Sequence, residues 1–310
     1  RGAVARRLPE PGVWEGEVVV GEELASSRSR AVHGETLDLD DTNLIADAHA
    51  FAVDLAREAG ALIRDRYHAP HDVDHKGTID IVTETDRASE RLIAEAIRAR
   101  FPDHQLLAEE GSTAAGASAS PYRWVVDPLD GTTNFAHRFP HFAVSIGLER
   151  EHQLLAGAVY DPMRDEMFEA ARGHGARLNG VSLQVADRTE LIGTLLATGF
   201  PYDLAAREQS NRLWLHFNDR CQGVRRAGAA ALDMVWVAAG RLDGYWERPG
   251  MPWGKTAACL VAMEAGATVT GLTGEPFDVM DLGVTMANPA LHAILLEEIS
   301  AVLDGFAGRV

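Results

Sequence analysis

The chain has 310 residues, of which 46% are hydrophobic and 24% are charged, a composition that excludes a largely disordered protein. Its formal net charge of −17 makes nucleic acid and anionic membrane surfaces poor partners, and its longest apolar runs fall far short of a membrane span of roughly 20 residues. The two cysteines, Cys221 and Cys259, provide no disulfide framework and fit a reducing compartment, so the sequence predicts a cytoplasmic protein.

Residues 1–42 differ from the rest of the chain. They combine Pro9 and Pro11 with a polar run, Ser26–Arg30, and an acidic run, Asp38–Asp41, without sustained hydrophobic periodicity. The stretch is interpreted as an extension outside the main fold. It is either flexible, processed or added during cloning, since the chain does not begin with Met.

Helices and strands are mixed through the remainder of the chain. Apolar residues at helical spacing predict one helix from Thr42 to Ile63, one between Thr85 and Pro102, and one over Ala229–Ala239. The predicted strands are Ile79–Thr83, Tyr122–Val126, and three antiparallel strands within residues 142–172 with turns near Glu151–His152 and Asp161–Asp165. Long antiparallel stretches among helices favour an α+β layered fold over a sheet built from βαβ units alone.

The densest polar segment is Asp127-Pro128-Leu129-Asp130-Gly131-Thr132-Thr133, which directly follows a predicted strand. Pro128 fixes its own φ and Gly131 permits a tight turn, so Asp127 and Asp130 can converge on one point. Carboxylate oxygens suit a hard divalent cation such as Mg²⁺, and N–H groups after Gly131 can hold a phosphate oxygen. The segment therefore indicates metal-assisted phosphoryl chemistry. The alternative is an Asx-turn in which both acids only cap the turn.

Two upstream segments carry further carboxylates. Glu109 follows the apolar run Leu106–Ala108, and Asp86 falls in the first turn of a predicted helix, where a negative charge is favourable. Each acid alone is more simply a solvated or capping residue. Together with Asp127 and Asp130, they form a recognisable order along the chain.

That order resembles the inositol monophosphatase family. The resemblance rests on Asp80–Asp86, Ala108–Glu110 and the highly specific Trp124–Phe135, and it extends over about residues 43–305. Further similar segments are Phe139–Gly147, Gly173–Gly180, Asp243–Glu247 and Glu264–Gly266. The resemblance implies a Mg²⁺-dependent, lithium-sensitive phosphatase, usually a homodimer. It also implies the layered αβαβα sandwich of the inositol monophosphatase and fructose-1,6-bisphosphatase type.

The resemblance also implies a set of metal ligands, with two or three Mg²⁺ ions in each site. Glu109 and Asp127 would bind the first metal together with the carbonyl of Leu129. Asp127 would bridge to a second metal, which Asp130 would also hold. Metals in these places would offset the charge of a phosphate and lower the pKa of a bound water.

Catalytic and substrate-binding positions carry over in the same way. Thr132, assisted by Asp86, would orient the attacking water. The residues that would contact the substrate are Gly131, Thr132, Gly228, Ala229, Ala230 and Glu247, the last as an acceptor for ring hydroxyls. Residues 43–185 would form an N-terminal α+β subdomain with the metal site, and residues 186–310 a C-terminal α/β subdomain that completes the substrate pocket.

One position departs from the family pattern. The family has a metal-binding Asp in a Trp-Asp-x-x-Ala motif eleven residues before Glu-Ala-Gly, whereas here Trp253 precedes Gly254 at unchanged spacing to Glu264. The loss predicts a weaker second metal and slower turnover. Three explanations stay open: an engineered inactivation, a natural lesion in a protein that binds without turnover, or a slower site in which Lys255 or solvent fills the gap. Ala229 is a smaller departure, because family members often carry a hydroxyl there.

Two other interpretations concern different chemistry. Gly250–Thr256 imitates a phosphate-binding P-loop, but only three residues separate its glycines where the motif needs four, and Pro252 removes an amide. Histidines at spacings of three and four suit a helical zinc site, although Pro70 favours a solvated loop there. They are His68, His71 and His75.

The sequence as a whole predicts a Mg²⁺-dependent phosphomonoesterase for a small phosphomonoester. Inositol 1-phosphate is the leading substrate, because the resemblance places Glu247 where it would bind polyol hydroxyls. Histidinol phosphate, sugar phosphates and nucleoside bisphosphates are alternatives, since relatives handle them. The second hypothesis, which depends on Gly254, is an impaired homologue that binds ligand without efficient turnover. Neither hypothesis involves nucleic acid or a membrane.

Overall fold

The computed structural model describes residues 39–70, 72–112, 120–204 and 206–307. Its helices are α1 (Leu39–Arg66), α2 (Glu84–Arg100), α3 (Thr132–Ala136), α4 (Arg207–Asn218), α5 (Ala230–Ala238), α6 (Pro252–Glu264) and α7 (Pro289–Ala307). Its strands are β1 (Val73–His75), β2 (Ile81–Thr83), β3 (Gln105–Ala108), β4 (Tyr122–Asp130), β5 (Ala143–Arg150), β6 (Gln153–Asp161), β7 (Glu166–Ala171), β8 (Ala176–Leu178), β9 (Val181–Ser182), β10 (Leu195–Thr198), β11 (Gly223–Arg225), β12 (Gly244–Glu247), β13 (Thr268–Thr270) and β14 (Val284–Ala287). Within these ranges, no helix is long and apolar enough to cross a membrane.

Two β-sheets form the centre of the fold. The first has the strand order β3-β4-β5-β6-β7-β8-β9, in which β3 runs parallel to β4 and the later neighbours are antiparallel. The second has the order β11-β10-β12-β14-β13, with β10 parallel to both β11 and β12. A separate antiparallel hairpin, β1 and β2, leads directly into α2.

Helices cover both faces of the first sheet. On β6, Tyr160 lies against Gly60 of α1, whereas Gly157 lies against Ala257 of α6. Residues an odd number of positions apart point to opposite faces of a strand, so α1 and α6 pack on opposite sides of this sheet. Helix α2 contacts α1 and β4 on the α1 side.

The second sheet is covered in the same way. Leu196 of β10 packs with Phe217 of α4 and Leu291 of α7, whereas its neighbour Ala197 packs with the core residues of α5 and α6. The layers therefore run α1/α2, first sheet, α5/α6, second sheet, α4/α7. This order confirms the predicted αβαβα sandwich.

The predicted antiparallel region is confirmed as β5, β6 and β7. Their turns contain Glu151, His152 and Asp165, which all have the positive φ that is common in short hairpin turns. The helix predicted over residues 229–239 is α5, and the helix predicted before Pro102 is α2.

Several predicted limits are wrong. Helix α1 begins at Leu39 and not at Thr42, because neither glycine nor proline stands between these positions to interrupt it. Strand β2 begins at Ile81 and not at Ile79, because residues 76–80 turn the chain back to β1, where Lys76 N–H donates to the Asp80 carbonyl.

Other expectations fall outside what the structure describes. Residues 1–38 of the predicted extension and His71 lie outside the described residues. His75 lies in β1 and not in a loop. The division into subdomains at residues 185 and 186 stays a prediction.

Candidate active site

The central polar segment lies where β4 separates from β5. The pairing register between these strands shifts between Asp127 and Asp130, so the intervening residues leave the regular ladder. Gly131 then adopts a left-handed conformation with φ of 93°, and an added Cβ would lie 3.0 Å from the carbonyl of His141. Both the conformation and the close approach require glycine here, and they direct the chain from β4 into α3.

Asp86 and Thr132 meet in this region, although 46 positions separate them in the sequence. Both side chains are buried, and the Thr132 hydroxyl donates to Asp86 Oδ1 at 2.7 Å. The other carboxylate oxygen, Oδ2, accepts from the backbone N–H of Thr83 at 2.9 Å and from the Thr83 hydroxyl. The first of these bonds and the reciprocal bond from the Asp86 N–H to the Thr83 hydroxyl oxygen form a capping box at the start of α2. Burial raises the pKa of the Asp86 carboxyl, and these hydrogen bonds oppose the shift.

Glu109 and Asp127 follow paired positions on neighbouring strands. Strand β3 runs parallel to β4 with Ala108 opposite Val126, so the next residue on each strand is an acid. Burial raises the pKa of Asp127 well above its usual range, and the negative charge of Glu109 adds to the shift. Burial also raises the pKa of Glu109, while Lys76 opposes that shift from 3.1 Å. A nearby positive charge, either an ammonium or a metal cation, would therefore stabilise the ionised form of these two acids.

Asp130 connects this acidic site to α5. Its two oxygens accept from the backbone N–H groups of Ala230, at 3.2 Å, and Ala231, at 2.7 Å. Burial raises the pKa of Asp130 well above its usual range, and the bond from Ala231 opposes the shift. Next to it, a Cβ on Gly131 would lie 3.1 Å from the Cβ of Ala229. The structure thus brings the predicted substrate segment, residues 228–230, against the predicted metal ligands.

Glu247 ends β12 and is half-buried. Its Oε2 accepts from the Tyr245 hydroxyl at 2.9 Å. Burial raises the pKa of Glu247 to about 7, with the Tyr245 hydrogen bond opposing the shift. After burial, the negative charge of Glu247 is one of several smaller causes that raise the pKa of Asp130. Gly199 makes room for this acid, since a Cβ there would lie 1.8 Å from Glu247 Oε1.

Gly254 lies on α6 and faces the same acids. A Cβ added at Gly254 would be 3.8 Å from Asp127 Oδ2 and 3.9 Å from the Cβ of Ala230, which are ordinary contact distances. The adjacent Lys255 is buried, and its ammonium donates to the Asp281 carbonyl. The structure therefore places the Lys255 ammonium at Asp281, and whether Lys255 or solvent fills the gap left by Gly254 stays a prediction.

Two residues of the site make long-range contacts that the sequence did not predict. Lys76 also contacts Glu110 at 2.5 Å, 34 positions away, and a lone lysine in a turn does not predict such a contact. Asn134 donates to the carbonyls of His141, at 2.7 Å, and Ala227, at 2.9 Å, and so joins the turn after β4 to the start of α5. Asn134 belongs to the recognised segment, but its long-range partners cannot be inferred from spacing.

The donor set suits a hard divalent cation. Glu109, Asp127 and the Leu129 carbonyl offer oxygen atoms only, which Mg²⁺ prefers. Burial raises the pKa of both acids, and a bound cation would favour their ionised forms. In the described part of the chain, however, no three His, Cys, Asp or Glu side chains are gathered as a ready metal site. Lys76 is paired with Glu109, and Asp130 is turned toward α5, which accounts for this arrangement.

The αβαβα sandwich, with Glu109 directly after β3 and Asp127 and Asp130 at the end of β4, places the protein in a class of layered α+β folds. The sequence model of the Inositol monophosphatase family matches residues 45–304, and the chain belongs to that family.

Individual relatives agree with this assignment. The chain is 42% identical over 260 residues to the Nus factor SuhB of Escherichia coli K12, covering 81% of this chain and 97% of the relative. It is 40% identical over 257 residues to an inositol-1-monophosphatase of Synechocystis, covering 82% and 89% of the two chains. The solved inositol monophosphatase of Anabaena superposes with a TM-score of 0.75 at 38% identity, covering 84% of this chain and 97% of that one.

Proposed function

We propose that this protein is a Mg²⁺-dependent phosphomonoesterase that hydrolyses a small phosphomonoester, with inositol 1-phosphate as the leading substrate. The observation that carries the proposal is the buried pair Asp86 and Thr132, joined at 2.7 Å beside a group of acids with raised pKa values. The Synechocystis relative, named for inositol-1-monophosphatase activity, supports the substrate. Histidinol phosphate, sugar phosphates and nucleoside bisphosphates remain alternatives.

Metal binding is assigned to the acid directly after β3 and to the two acids at the end of β4. Glu109, Asp127 and the Leu129 carbonyl would hold one Mg²⁺, and Asp127 and Asp130 a second. Bound Mg²⁺ would offset the charge of the phosphate and lower the pKa of water. To take part, Glu109 must exchange the ammonium of Lys76, 3.1 Å away, for the metal.

The remaining residues act on the water and the substrate. Because Thr132 donates its hydroxyl proton toward Asp86, its oxygen is left to accept a hydrogen bond from water and to orient it. The amides of Gly131 and Thr132 would hold phosphate oxygens. Glu247 would accept a substrate hydroxyl, and with a pKa of about 7 it would do so best above neutral pH.

Gly254 favours a second candidate function, ligand binding without efficient turnover. A carboxylate at this position would project toward Asp127, and glycine supplies none. The Escherichia coli relative carries the name Nus factor and not that of an enzyme, which makes a non-enzymatic role a reasonable alternative.

The deciding experiment is phosphate release from inositol 1-phosphate across a Mg²⁺ titration. The natural chain is compared with Gly254→Asp and with Gly254→Asn, which has a similar shape but no charge. We expect Gly254→Asp to require less Mg²⁺ and to turn over at least about tenfold faster. Mutation of a residue that only supports a metal ligand typically lowers metal affinity or activity by about tenfold or more, and a direct ligand should matter at least as much. Turnover by Gly254→Asp alone would identify the natural chain as a binding protein. No release by any of the three, on this substrate or on a phosphomonoester panel, would contradict the phosphatase proposal.

Further properties belong to the same proposal. We infer a cytoplasmic homodimer that lithium inhibits and that needs neither nucleic acid nor a membrane. Cys221 and Cys259 are both free and buried, which supports a reducing compartment. Sedimentation of the purified chain tests the dimer, and a lithium titration of the phosphatase assay tests inhibition.

A further inference from the structure

Helix α2 carries three buried polar side chains on one face. Asp86, Ser89 and Glu90 are spaced at i, i+3 and i+4, and each is at most 3% exposed. Burying a carboxylate is costly unless every oxygen has a partner, so the partners of these side chains indicate what the helix face does.

Each of the three side chains holds a different point of the candidate site. Asp86 accepts from Thr132, as described above, and the Ser89 hydroxyl donates to the Pro128 carbonyl at 2.9 Å. Both contacts reach the stretch that runs from the end of β4 into α3. Glu90 instead reaches the segment after β3, which carries Glu109. The same helix face therefore contacts both chain segments that supply the proposed metal ligands.

Glu90 binds its segment with both oxygens. Its Oε2 accepts from the backbone N–H of Glu110 at 2.6 Å, and its Oε1 accepts from the N–H of Ser112 at 2.8 Å. Gly111, between these two amides, has φ of 103°, a conformation that side chains rarely adopt. A bidentate carboxylate across a left-handed glycine fixes the direction in which the chain leaves β3.

We propose that Glu90 is a positioning residue that sets the orientation of Glu109 toward Asp127 and thereby the affinity of the site for a divalent cation, without touching the cation. The inference rests on the proposed function of the acids. Gln at position 90 would keep the shape but offer one acceptor oxygen and one N–H₂ group, which cannot accept from an amide. One of the two amides would then lose its partner, and the turn that carries Glu109 would loosen.

The test is Mg²⁺ binding by isothermal calorimetry on the full chain without substrate, for the natural protein, Glu90→Gln and Glu95→Gln. Glu95 is exposed on the same helix, so its variant removes the same charge away from the site. We expect Glu90→Gln to bind Mg²⁺ at least about tenfold more weakly, because loss of a residue that supports a metal ligand typically has an effect of this size. Glu95→Gln is expected to bind Mg²⁺ within about twofold of the natural chain. Amide hydrogen exchange without metal is expected to rise at Glu110 and Ser112 in Glu90→Gln only.

The outcomes separate this role from a structural one. If Glu90→Gln lowers the free energy of unfolding but binds Mg²⁺ as the natural chain does, Glu90 only stabilises the turn and the inference is overturned. If Glu90→Gln fails to fold, Glu90→Asp replaces it. Asp keeps the charge but is too short to reach both amides, and the same loss of Mg²⁺ affinity is expected. Absence of Mg²⁺ binding by the natural chain overturns the proposed function and this inference together, whereas equal and measurable binding overturns this inference alone.

Discussion

At the scale of single residues, the Thr132 hydroxyl has its one proton directed at two acceptors within the protein. It is buried, donates to Asp86 Oδ1 at 2.7 Å, and lies 3.1 Å from the Leu129 carbonyl as a second acceptor. Asp86 cannot turn away, because Thr83 holds its other oxygen in the capping box. A hydroxyl with its proton committed in this way can only accept from a further group, and this is the property needed to orient a water.

Thr132→Val is therefore expected to lower kcat by about 100-fold. This is the lower end of the range seen when an enzyme loses a side chain that takes part in proton transfer. Thr132→Ser keeps the hydroxyl and is expected to stay within a few-fold of the natural chain. Thr133→Val, the same change at the next residue, serves as the control. The measurement is phosphate release at saturating Mg²⁺, with Gly254→Asp as the background if the natural chain is too slow. Equal kcat for the Val and Ser variants would refute an orienting role.

The same substitution carries a cost in stability. In Thr132→Val, Asp86 Oδ1 loses a buried hydrogen bond, which typically costs about 1–3 kcal/mol of unfolding free energy. Denaturant unfolding of the variants then shows whether a loss of kcat merely follows a loss of folded protein. Because Thr132→Ser keeps the bond, it is expected to unfold at nearly the natural denaturant concentration.

At the scale of elements, the sequence predicted the features that depend on neighbouring residues. The antiparallel strands β5 to β7, helix α5 and the order of acids around Asp127 follow from periodicity, turn residues and a motif of fixed spacing. Contacts between distant segments could not be predicted in this way. Lys76 meets Glu110 34 positions away, and Gly199 makes room for Glu247, because packing of whole layers brings these segments together. Helix limits, such as the start of α1 at Leu39, also escaped prediction, since no residue marks that boundary strongly.

The contact between α6 and the first sheet depends on two glycines. A Cβ at Gly147 would lie 2.6 Å from the Thr256 side chain, and one at Gly157 would lie 2.9 Å from the backbone Cα of Ala257. The second contact involves backbone and cannot be relieved by rotating a side chain. Since α6 also carries Gly254, this close approach sets the distance between that position and Asp127.

Gly157→Ala is accordingly expected to destabilise the protein by about 1–3 kcal/mol, the usual cost of overpacking a core. Gly193→Ala is the matched control, because an added Cβ there meets nothing closer than 3.7 Å. The free energy of unfolding in denaturant, measured for both variants, checks the expectation. Equal stability of the two variants would mean that α6 can move away from the sheet without cost.

At the scale of the whole molecule, acidic residues outnumber basic ones by 46 to 29, and part of this excess is concentrated at the candidate site. A carboxyl whose pKa rises on folding costs stability at neutral pH, because the folded state opposes its ionisation. Burial and the charge of Glu109 raise the pKa of Asp127 in this way, and burial raises that of Asp130. Without a metal, the acids proposed as ligands therefore destabilise the fold that holds them.

This conflict predicts that Mg²⁺ reverses a stability order. In chelator, Asp127→Asn is expected to melt above the natural chain, since it removes a buried charge from an acidic cluster. With Mg²⁺ at about 100 times its dissociation constant, binding adds about 2.7 kcal/mol to the natural chain, or about 5 °C in melting temperature, and little to the variant. NaCl at the same ionic strength serves as the control, because screening acts on both chains alike. If Asp127→Asn gains as much from Mg²⁺ as the natural chain, the cation binds elsewhere. If the natural chain already melts above Asp127→Asn in chelator, repulsion among the acids does not destabilise the fold. Lys76 alone would then offset their charge.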